Sequence, residues 1–208
     1  MRVSYSVMAH PARGARARAL GDLLGCPVVW DRGLGEDDTA ARAWAVAGGS
    51  DWHVVLQDDA VPVEGFADHA AAMLAEADGS VVSLYVGTGY PQFIQAGVAS
   101  AVRRADEVGA RWLTAHALFW GVAVAIPTAR VGDWLAYRSE GWPYDRRIGV
   151  WARERGLTIK YTWPSLVDHA DEPTLLDHGD GVERVLPRRA WRVGVPASGS
   201  AASRVVRF

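Results

Sequence analysis

Cysteine is nearly absent from this chain of 208 residues, since Cys26 is the only one. A single cysteine forms no intrachain disulfide, which excludes the disulfide-stapled secreted class and predicts a reducing compartment. Its neighbours Gly25 and Pro27 indicate a small buried residue rather than a nucleophile. Lysine is equally rare, because Lys160 stands against 21 arginines. With so many arginines, any single one is weak evidence for a phosphate contact.

The chain also lacks a long apolar run. The longest, residues 117–127, is too short to cross a bilayer as a helix. No secretory signal pattern is seen at the N-terminus, because Arg13, Arg16 and Arg18 follow the first short apolar stretch. We therefore expect a cytoplasmic protein without a membrane span.

The composition is that of an ordinary globular domain. Half of the residues are hydrophobic, 22% are charged and ten are tryptophan, which is enough for one domain with a sizeable core. The net charge is −2, but residues 51–110 carry −7 and residues 111–208 carry +4. The acidic middle predicts a cation site, whereas the basic end is compatible with an anionic ligand.

Apolar runs and helical spacing alternate from the start of the chain. Strands are predicted at residues 3–8, 27–30 and 52–58, and helices at 12–24 and 40–47, the second capped by Asp38 and Thr39. This alternation is typical of a parallel sheet with helices on its faces. We predict a single α/β domain over residues 1–195 with a mainly parallel central sheet, followed by a flexible tail at 196–208.

Patterns of the same kind continue along the chain. Helices are predicted at residues 65–77, 91–108, 128–137 and 144–155, and strands at 80–86, 112–116, 119–126 and 158–163. Residues 165–180 are predicted to form a polar loop that contains His169 and His178.

One apolar run ends abruptly in two acids, within WHVVLQDDAVPV at residues 52–63. Burying either carboxylate without a partner costs several kcal/mol, so a nearby cation is expected. Side chains alternate along a strand, so Gln57 and Asp59 would share one face. Asp58 would take the other face, held by backbone or ribose groups. The alternative is that both acids only begin a solvated turn before Pro62.

Polar groups follow three of the predicted strands. Residues 8–13 follow the first strand, Asp31 the second and residues 57–59 the third. Ligands of open α/β sheets bind beyond the carboxyl ends of the strands. We therefore predict one ligand site at this edge of the sheet.

Four segments of the chain together resemble the glycosyltransferases of the A-type nucleotide-sugar fold (GT-A). They are the first strand with an arginine beyond it, VSYSVMAHPAR; the strand that ends at Asp31; WHVVLQDDA, similar to the family's strand into a D-x-D or E-D-D motif; and PSLVDH at residues 164–169, similar to the late segment whose histidine joins the metal. The resemblance covers residues 3–170, and the chain also looks like small glycosyltransferases of actinobacterial phages. It implies a GT-A-like fold, a nucleotide-sugar donor and a hydroxyl acceptor.

The resemblance implies a divalent cation, Mn²⁺ or Mg²⁺, between the last motif carboxylate and the diphosphate of the donor. The implied ligands are Asp59 and His169, because hard oxygen with one imidazole suits these ions. The motif departs from the family at Gln57, where an acid is usual. An amide there can still bind the donor but supplies no charge, so either metal affinity is weaker or Asp58 takes over. Outside the PSLVDH context, His169 would be interpreted as an ordinary loop histidine.

Three further residues are implied on the nucleotide side. Asp31 resembles the second-strand acid that bonds the base or ribose, with a capping or turn aspartate as the alternative. Arg13 resembles a base or phosphate contact, with a solvated helix arginine as the alternative. Arg42 lies on the helix before the central strand, within reach of the nucleotide. With Gln57 and Asp58 they form the predicted donor site.

Asp145 resembles the catalytic base of an inverting transferase, which lies at the start of a helix after the acceptor-side strands. Such a base takes the proton of the acceptor hydroxyl, and the helix N-terminus favours its ionised form. The alternative is an N-cap that pairs with Arg146 or Arg147. A retaining enzyme would not use Asp145 in this role.

The acceptor class stays open at this point: a saccharide, a small molecule or a hydroxylated base in phage DNA. His116, Trp120 and Trp142 flank the predicted acceptor side, and tryptophan faces stack on sugars or bases. The arginine-rich end of the chain is compatible with DNA and equally with a solvated tail. The expected location is the cytosol of a bacterium or of a phage-infected host.

Two other functional classes are compatible with parts of this pattern. A nucleotidyltransferase on a similar sheet would need a glycine-rich phosphate loop after the first strand, where this chain has only Gly14. A non-catalytic module that binds a nucleotide-sugar or glycan is supported by Gln57. Hydrolysis of the donor would separate an enzyme from such a module.

Overall fold

Strands and helices alternate through most of the chain. The computed structural model describes residues 1–137, 142–172, 175, 187–196 and 204–208. Its strands are β1 Val3–Ala9, β2 Val28–Trp30, β3 Trp52–Gln57, β4 Ala60–Pro62, β5 Val81–Ser83, β6 Trp112–Ala115, β7 Ala123–Pro127, β8 Ile159–Thr162, β9 Val167–His169 and β10 Val205–Arg207. Its helices are α1 Gly14–Leu24, α2 Glu36–Ala45, α3 Phe66–Ala75, α4 Gln92–Val108, α5 Thr128–Ala136 and α6 Tyr144–Glu154, with a 3₁₀ turn at Pro11–Arg13.

Eight of the described strands form one sheet in the order β10-β6-β8-β5-β7-β3-β1-β2. The pairings show that β1, β2, β3, β5 and β8 run in one direction, whereas β6, β7 and β10 run in the other. The prediction of an α/β fold with a mainly parallel sheet is confirmed. The carboxyl ends of β1, β2 and β3 consequently meet at one edge.

The parallel pair β1 and β3 positions this edge. Val7 pairs with Leu56 and Met8 with Gln57, so the polar segments after both strands leave the sheet side by side. Val54, Val55 and Leu56 are completely buried, as expected for a strand with both faces covered.

Most tryptophans belong to the core. The buried ones are Trp44, Trp52, Trp112, Trp120, Trp134, Trp151 and Trp163. Most of them therefore serve packing rather than a ligand cleft, whereas Trp30 and Trp191 are half-buried and Trp142 is exposed. The longest described helix, α4, has 17 residues, and among the described helices none has the length and hydropathy needed to cross a bilayer.

Helix α2 begins earlier than predicted. Its first residue is Glu36 and Gly35 is the N-cap, so Asp38 and Thr39 lie inside the first turns instead of capping the helix. Three consecutive acids, Glu36 to Asp38, occupy the first turn, where the positive end of the helix dipole favours them.

The predicted polar loop at residues 165–180 contains a strand. Strand β9 pairs with β4 in a separate two-stranded antiparallel sheet. The segment is too short to show the alternation by which strands are recognised. His178, predicted in the same loop, lies outside the described residues.

The predicted flexible tail divides into two parts. Residues 197–203 lie outside the described residues, whereas Val205–Arg207 form β10 and pair in parallel with β6. The ring of Phe208 packs 5.2 Å from that of Tyr161. The last residues are thus part of the main sheet.

Two glycines allow helix α6 to approach the segment before β7. A Cβ atom on Gly149 would lie 2.8 Å from the backbone nitrogen of Leu118. A Cβ atom on Gly121 would lie 3.0 Å from the ring of Tyr144 and 3.5 Å from Cβ of Asp145. The start of α6 therefore sits against the loop that leads into β7.

We expect Gly149→Ala to lower the free energy of unfolding by about 1–3 kcal/mol, because backbone must shift to admit the methyl group. Gly132→Ala is the matched control, since that glycine lies in α5 with nothing within 4 Å of its added Cβ. Because alanine has a higher helix propensity than glycine, Gly132→Ala should raise the free energy of unfolding by up to about 1 kcal/mol. Denaturant unfolding measures both, and equal effects would contradict the close packing of α6.

Candidate functional site

Two adjacent carboxylates follow the central strand and are both buried. Strand β3 ends at Gln57, and Asp58 and Asp59 form the turn that leads into β4. Each acid exposes only 5% of its surface. Two negative charges so close together and so far from water require compensation by neighbouring groups. The alternative of a solvated turn is therefore wrong for these acids.

A single guanidinium nitrogen bridges both acids. Nη1 of Arg13 lies 3.0 Å from Oδ1 of Asp58 and 2.6 Å from Oδ2 of Asp59. Arg13 ends the 3₁₀ turn that follows β1, next to β3 in the sheet. The backbone N–H of His10 donates to Oδ2 of Asp58 at 2.7 Å, so the backbone holds this carboxylate as predicted.

A ladder of backbone pairs brings His169 to Asp59. Ala60 pairs with His169 across β4 and β9, and the N–H of Ala170 donates to the carbonyl of Asp59 at 2.7 Å. Nε2 of His169 then lies 3.2 Å from Oδ2 of Asp59, and His169 is only 6% exposed. The two residues predicted as metal ligands are thus brought together, and their role as ligands stays a prediction.

The two acids differ in how easily they ionise. Burial raises the pKa of Asp58, and the charge of Asp59 adds to this despite hydrogen bonds from His10 and Arg13. Burial also opposes ionisation of Asp59, but the hydrogen bond and charge of His169, with the charges of Arg13 and Arg188, outweigh it and lower the pKa of Asp59. Asp59 is therefore the more firmly anionic of the pair.

The predicted alternation of faces is wrong for Asp58 and Asp59. It required the strand to continue through both residues, whereas β3 ends at Gln57 and the turn rotates the two acids. Both carboxylates consequently point to the same guanidinium. The side chain of Gln57 turns away from them toward Glu36, with Nε2 donating to Oε1 at 3.4 Å.

Asp31 and Arg42 also lie at the carboxyl-end edge of the sheet, but their side chains form hydrogen bonds with residues nearby in the sequence. Oδ1 of Asp31 accepts hydrogen bonds from the N–H of Gly33 and the hydroxyl of Thr39. Arg42 donates to Asp38 and to the carbonyl of Trp30, tying α2 to the end of β2. Both residues shape the β2–α2 connection, and a nucleotide contact by either stays a prediction.

A second acidic pair lies next to Gln57. The N–H of Gln57 donates to the carbonyl of Val122 at 2.9 Å, and Gly121 packs against Asp145 in the first turn of α6. Glu36, the first residue of α2, accepts a hydrogen bond from the backbone N–H of Tyr144. The predicted base Asp145 and the carboxylate of Glu36 are therefore neighbours at the carboxyl end of β3.

The arginines after Asp145 have other contacts. Arg147 forms an ion pair of 2.8 Å with Asp37, and the guanidinium of Arg146 lies 3.4 Å from the ring centre of Trp142. Oδ1 of Asp145 accepts the backbone N–H of Arg146 at 2.7 Å. Asp145 thus has a helix-start geometry, and its role as a base stays a prediction.

Glu36 is the site residue that the sequence analysis missed. Burial, aided by the charges of Asp145 and Asp37, raises the pKa of Glu36 to about 7, although the Tyr144 N–H and Arg147 act against it. Its carboxyl group therefore changes protonation near neutral pH beside Asp145. The run of three acids after β2 was visible in the sequence but indicated only a helix start.

The predicted acceptor-side residues are only partly accessible. Trp120 is buried, and its indole N–H donates to the carbonyl of Tyr90 at 2.7 Å, so it is a core residue. His116 is exposed and meets the ring of Phe119 edge-on. Trp142 is 40% exposed and is the tryptophan of this group that is best placed to stack on a ligand.

The residues around Asp59 fit a divalent cation only in part. Among the described residues, no three His, Cys, Asp or Glu side chains are grouped as a site made by protein alone. Oδ1 of Asp59 and Nδ1 of His169 are nevertheless buried without a hydrogen-bond partner. Mg²⁺ is usually held by one or two carboxylates together with substrate phosphates. The pair therefore fits a cation that arrives with a diphosphate.

An open groove of about 500 Å³ lies beside Arg13. It is lined by Ala12, Arg13, Ala15, Arg16, Ala19 and Glu172. Nε of Arg13 lies 3.4 Å from Glu172 in this groove, and Arg16 forms a 2.6 Å ion pair with the same carboxylate. Arg13 forms part of the wall of this groove, although its side chain is only 11% exposed.

No family model matches the sequence, and no curated protein matches it either. Among solved structures, the chain is similar to a mutant of the Drosophila β-1,4-galactosyltransferase 7 in complex with manganese, UDP-Gal and xylobiose. The TM-score is 0.36 at 11% sequence identity, over 85% of this chain and 78% of that chain. A similarity this low does not support any conclusion about activity.

We expect Glu36→Gln to raise the melting temperature relative to the wild type by a few degrees more at pH 8 than at pH 5. The folded pKa of Glu36 lies above that of the unfolded chain, so the wild type loses stability as pH rises toward about 7. Glutamine mimics the protonated form and avoids this loss. Thermal unfolding over this pH range is the measurement.

Asp38→Asn, in the same first turn, is the control for Glu36. The hydrogen bond from Arg42 lowers the pKa of Asp38, so Asp38 is ionised throughout this pH range. The difference between this variant and the wild type should therefore stay constant. A constant difference for Glu36→Gln as well would contradict the raised pKa of Glu36.

Proposed function

We propose that this chain is a glycosyltransferase that moves a sugar from a nucleotide-sugar donor to a hydroxyl acceptor with the help of Mn²⁺ or Mg²⁺. The supporting observation is the 3.2 Å contact between Oδ2 of Asp59 and Nε2 of His169 beyond the carboxyl end of β3. The sequence resemblance implied this pairing for two residues that are far apart in the chain. The parallel edge of β1, β2 and β3 is also where ligands of such sheets bind.

The donor lies, in this proposal, across the ends of β1, β2 and β3. Arg13 offers the diphosphate a positive charge, and Asp31 and Arg42 face the nucleoside end at the β2–α2 connection. Gln57 and Asp58 complete the donor site, Gln57 through its amide and Asp58 by holding Arg13. These assignments follow the positions of the side chains at one edge of the sheet.

Asp59 and His169 would hold the divalent cation together with the donor's diphosphate. A bound cation supplies charge stabilisation for the nucleoside diphosphate as the glycosidic bond breaks. The low pKa of Asp59 keeps a full negative charge at this place. The backbone pairing of β4 with β9 holds the imidazole of His169 beside Asp59, so no movement of the backbone would be needed to bring the two side chains together.

Asp145 acts as the base in an inverting displacement. The acceptor oxygen attacks the anomeric carbon and forms the new bond, its proton passes to the carboxylate of Asp145, and the bond to the diphosphate breaks with the electron pair on the leaving oxygen. Two neighbouring carboxyls tend to share one proton. Because the pKa of Glu36 is raised to about 7, Glu36 is largely protonated below that pH and adds little negative charge beside Asp145.

The acceptor enters from the side of α6. The exposed face of Trp142 is suited to stacking on a sugar ring or a base. Saccharides, small molecules and hydroxylated DNA bases all carry the hydroxyl that this chemistry requires, and a bacterial or phage-infected cytosol is the proposed setting. An acceptor screen with the identified donor distinguishes these classes.

A second candidate function is a non-catalytic module that binds a nucleotide-sugar. It is favoured by the neutral Gln57 in the acidic motif and by the engagement of Arg13 with both acids. An enzyme would hydrolyse or transfer the donor sugar, whereas a module would only bind it. Release of nucleoside diphosphate in the presence of Mn²⁺ separates the two.

We expect Asp59→Asn to abolish the Mn²⁺-dependent part of donor binding, because the amide loses the charge that attracts the cation. His169→Ala should weaken it by about 10- to 100-fold. A thermal-shift screen of nucleotide-sugars with and without Mn²⁺ identifies the donor, and calorimetry then measures the variants.

Asp51→Asn is the matched control for donor binding, because Asp51 lies at the opposite end of the central strand, where it accepts the N–H of Arg2. Its donor affinity should equal that of the wild type. If Asp59→Asn also leaves the affinity unchanged, Asp59 is not a ligand.

We expect Asp145→Asn to leave donor affinity unchanged and to reduce turnover by about 100- to 10,000-fold, the usual effect of losing a general base. Glu154→Gln, at the far end of α6, should keep full turnover. Single-turnover assays and calorimetry separate the two quantities. A loss of donor binding without a loss of turnover would assign Asp145 a structural role.

A further inference from the structure

Arg13 stands where a cation would be needed. Its Nη1 lies 2.6 Å from Oδ2 of Asp59, the same oxygen that faces Nε2 of His169 at 3.2 Å. The same nitrogen lies 3.0 Å from Asp58. One positive group thus contacts both acids of the motif in the free protein.

The attraction between these charges acts in a buried environment. The side chains of Arg13, Asp58 and Asp59 are 11%, 6% and 7% exposed, so water screens their attraction only weakly. Although burial would lower the pKa of Arg13, the nearby acids raise it, and the guanidinium keeps its charge. A divalent ion that approaches Asp59 therefore meets a fixed positive charge.

The guanidinium of Arg13 could also bind a ligand in the adjacent groove. The groove beside α1 is open, and Nε of Arg13 already lies 3.4 Å from Glu172 within it. A diphosphate entering this groove would offer pairs of anionic oxygens, which the planar guanidinium binds through two parallel N–H bonds. Loss of the contacts to Asp58 and Asp59 is then compensated by the ligand.

We propose that Arg13 is a latch that closes the cation position on Asp59 until a diphosphate draws the guanidinium away. This inference rests on the proposed function, because it presupposes a cation at Asp59 and His169. It adds an order of events: the free protein excludes the cation, and cation and diphosphate bind together. A free nucleoside diphosphate and the donor itself would both open the latch, since both carry the diphosphate.

If Arg13 acts as this latch, the wild-type protein should bind Mn²⁺ weakly when no diphosphate is present. If the open state makes up about 0.1–10% of the free protein, the apparent affinity for Mn²⁺ falls by about 10- to 1000-fold. Arg13→Gln removes the positive charge and should bind Mn²⁺ at least about tenfold more tightly than the wild type. The probe is Mn²⁺ alone, followed through the loss of the EPR signal of the free aqueous ion.

Two variants make this test specific. Arg16→Gln removes a positive charge from the same groove, yet Arg16 pairs with Glu172 rather than with Asp59, so its Mn²⁺ affinity should match the wild type. The double variant Arg13→Gln, Asp59→Asn should lose the gain. An equal gain in Arg16→Gln, or a gain that survives the loss of Asp59, would overturn the latch.

Arg13→Gln leaves two buried acids without their partner and can therefore fail to fold. Arg13→Lys keeps the compensating charge but not the planar fork, so it should fold and bind Mn²⁺ with an affinity between those of the wild type and the glutamine variant. An affinity equal to that of the wild type in every folded variant overturns the inference.

The outcome is separable from that of the proposed function. The latch experiment contains no nucleotide, whereas the test of function measures donor binding by the wild type. Donor binding with an unaltered Mn²⁺ affinity in Arg13→Gln would refute the latch alone. Tight Mn²⁺ binding by Arg13→Gln without any donor binding by the wild type would refute the transferase alone.

Discussion

Two neighbouring negative charges that are withdrawn from water are the constraint on which this structure depends. Asp58 and Asp59 cannot stay ionised at 5% exposure without positive or hydrogen-bonding partners. The partners come from distant parts of the chain, Arg13 from the turn after β1 and His169 from β9. Satisfying these acids therefore ties the first strand and a late strand to the end of the central one.

The carboxyl end of β3 separates two kinds of chemistry. On one side Asp59 and His169 lie in contact, the pair that we propose as cation ligands, and on the other side the carboxyl group of Glu36 has its pKa raised to about 7 beside Asp145. Gln57 stands between them and donates to Glu36. An acid at this position would add a further negative charge beside Glu36 and Asp145, which gives the neutral amide a physical reason.

The parts of the fold that could be predicted are those with a local signal. The apolar runs of β1 and β3 and the helical spacing of α1 and α4 appear in the structure within a few residues of their predicted bounds. The strands β4, β9 and β10 were not predicted, because each has only three residues and lies outside a longer apolar run, and their pairing partners β9, β4 and β6 lie far away in sequence. Glu36 was missed for a related reason, since its raised pKa depends on Asp145 and Asp37 and on burial.

The sequence alone determined the class of the sheet, the position of the acidic motif at the end of its central strand, and the residue types that gather there. Local periodicity and strand alternation are sufficient for this, because they are properties of neighbouring residues. Only the tertiary structure decided that Arg13, rather than solvent, faces both acids, and that Asp58 and Asp59 turn to the same side. Those outcomes depend on which distant groups the fold buries next to a charge. The distance between two segments cannot be read from the local pattern of either segment.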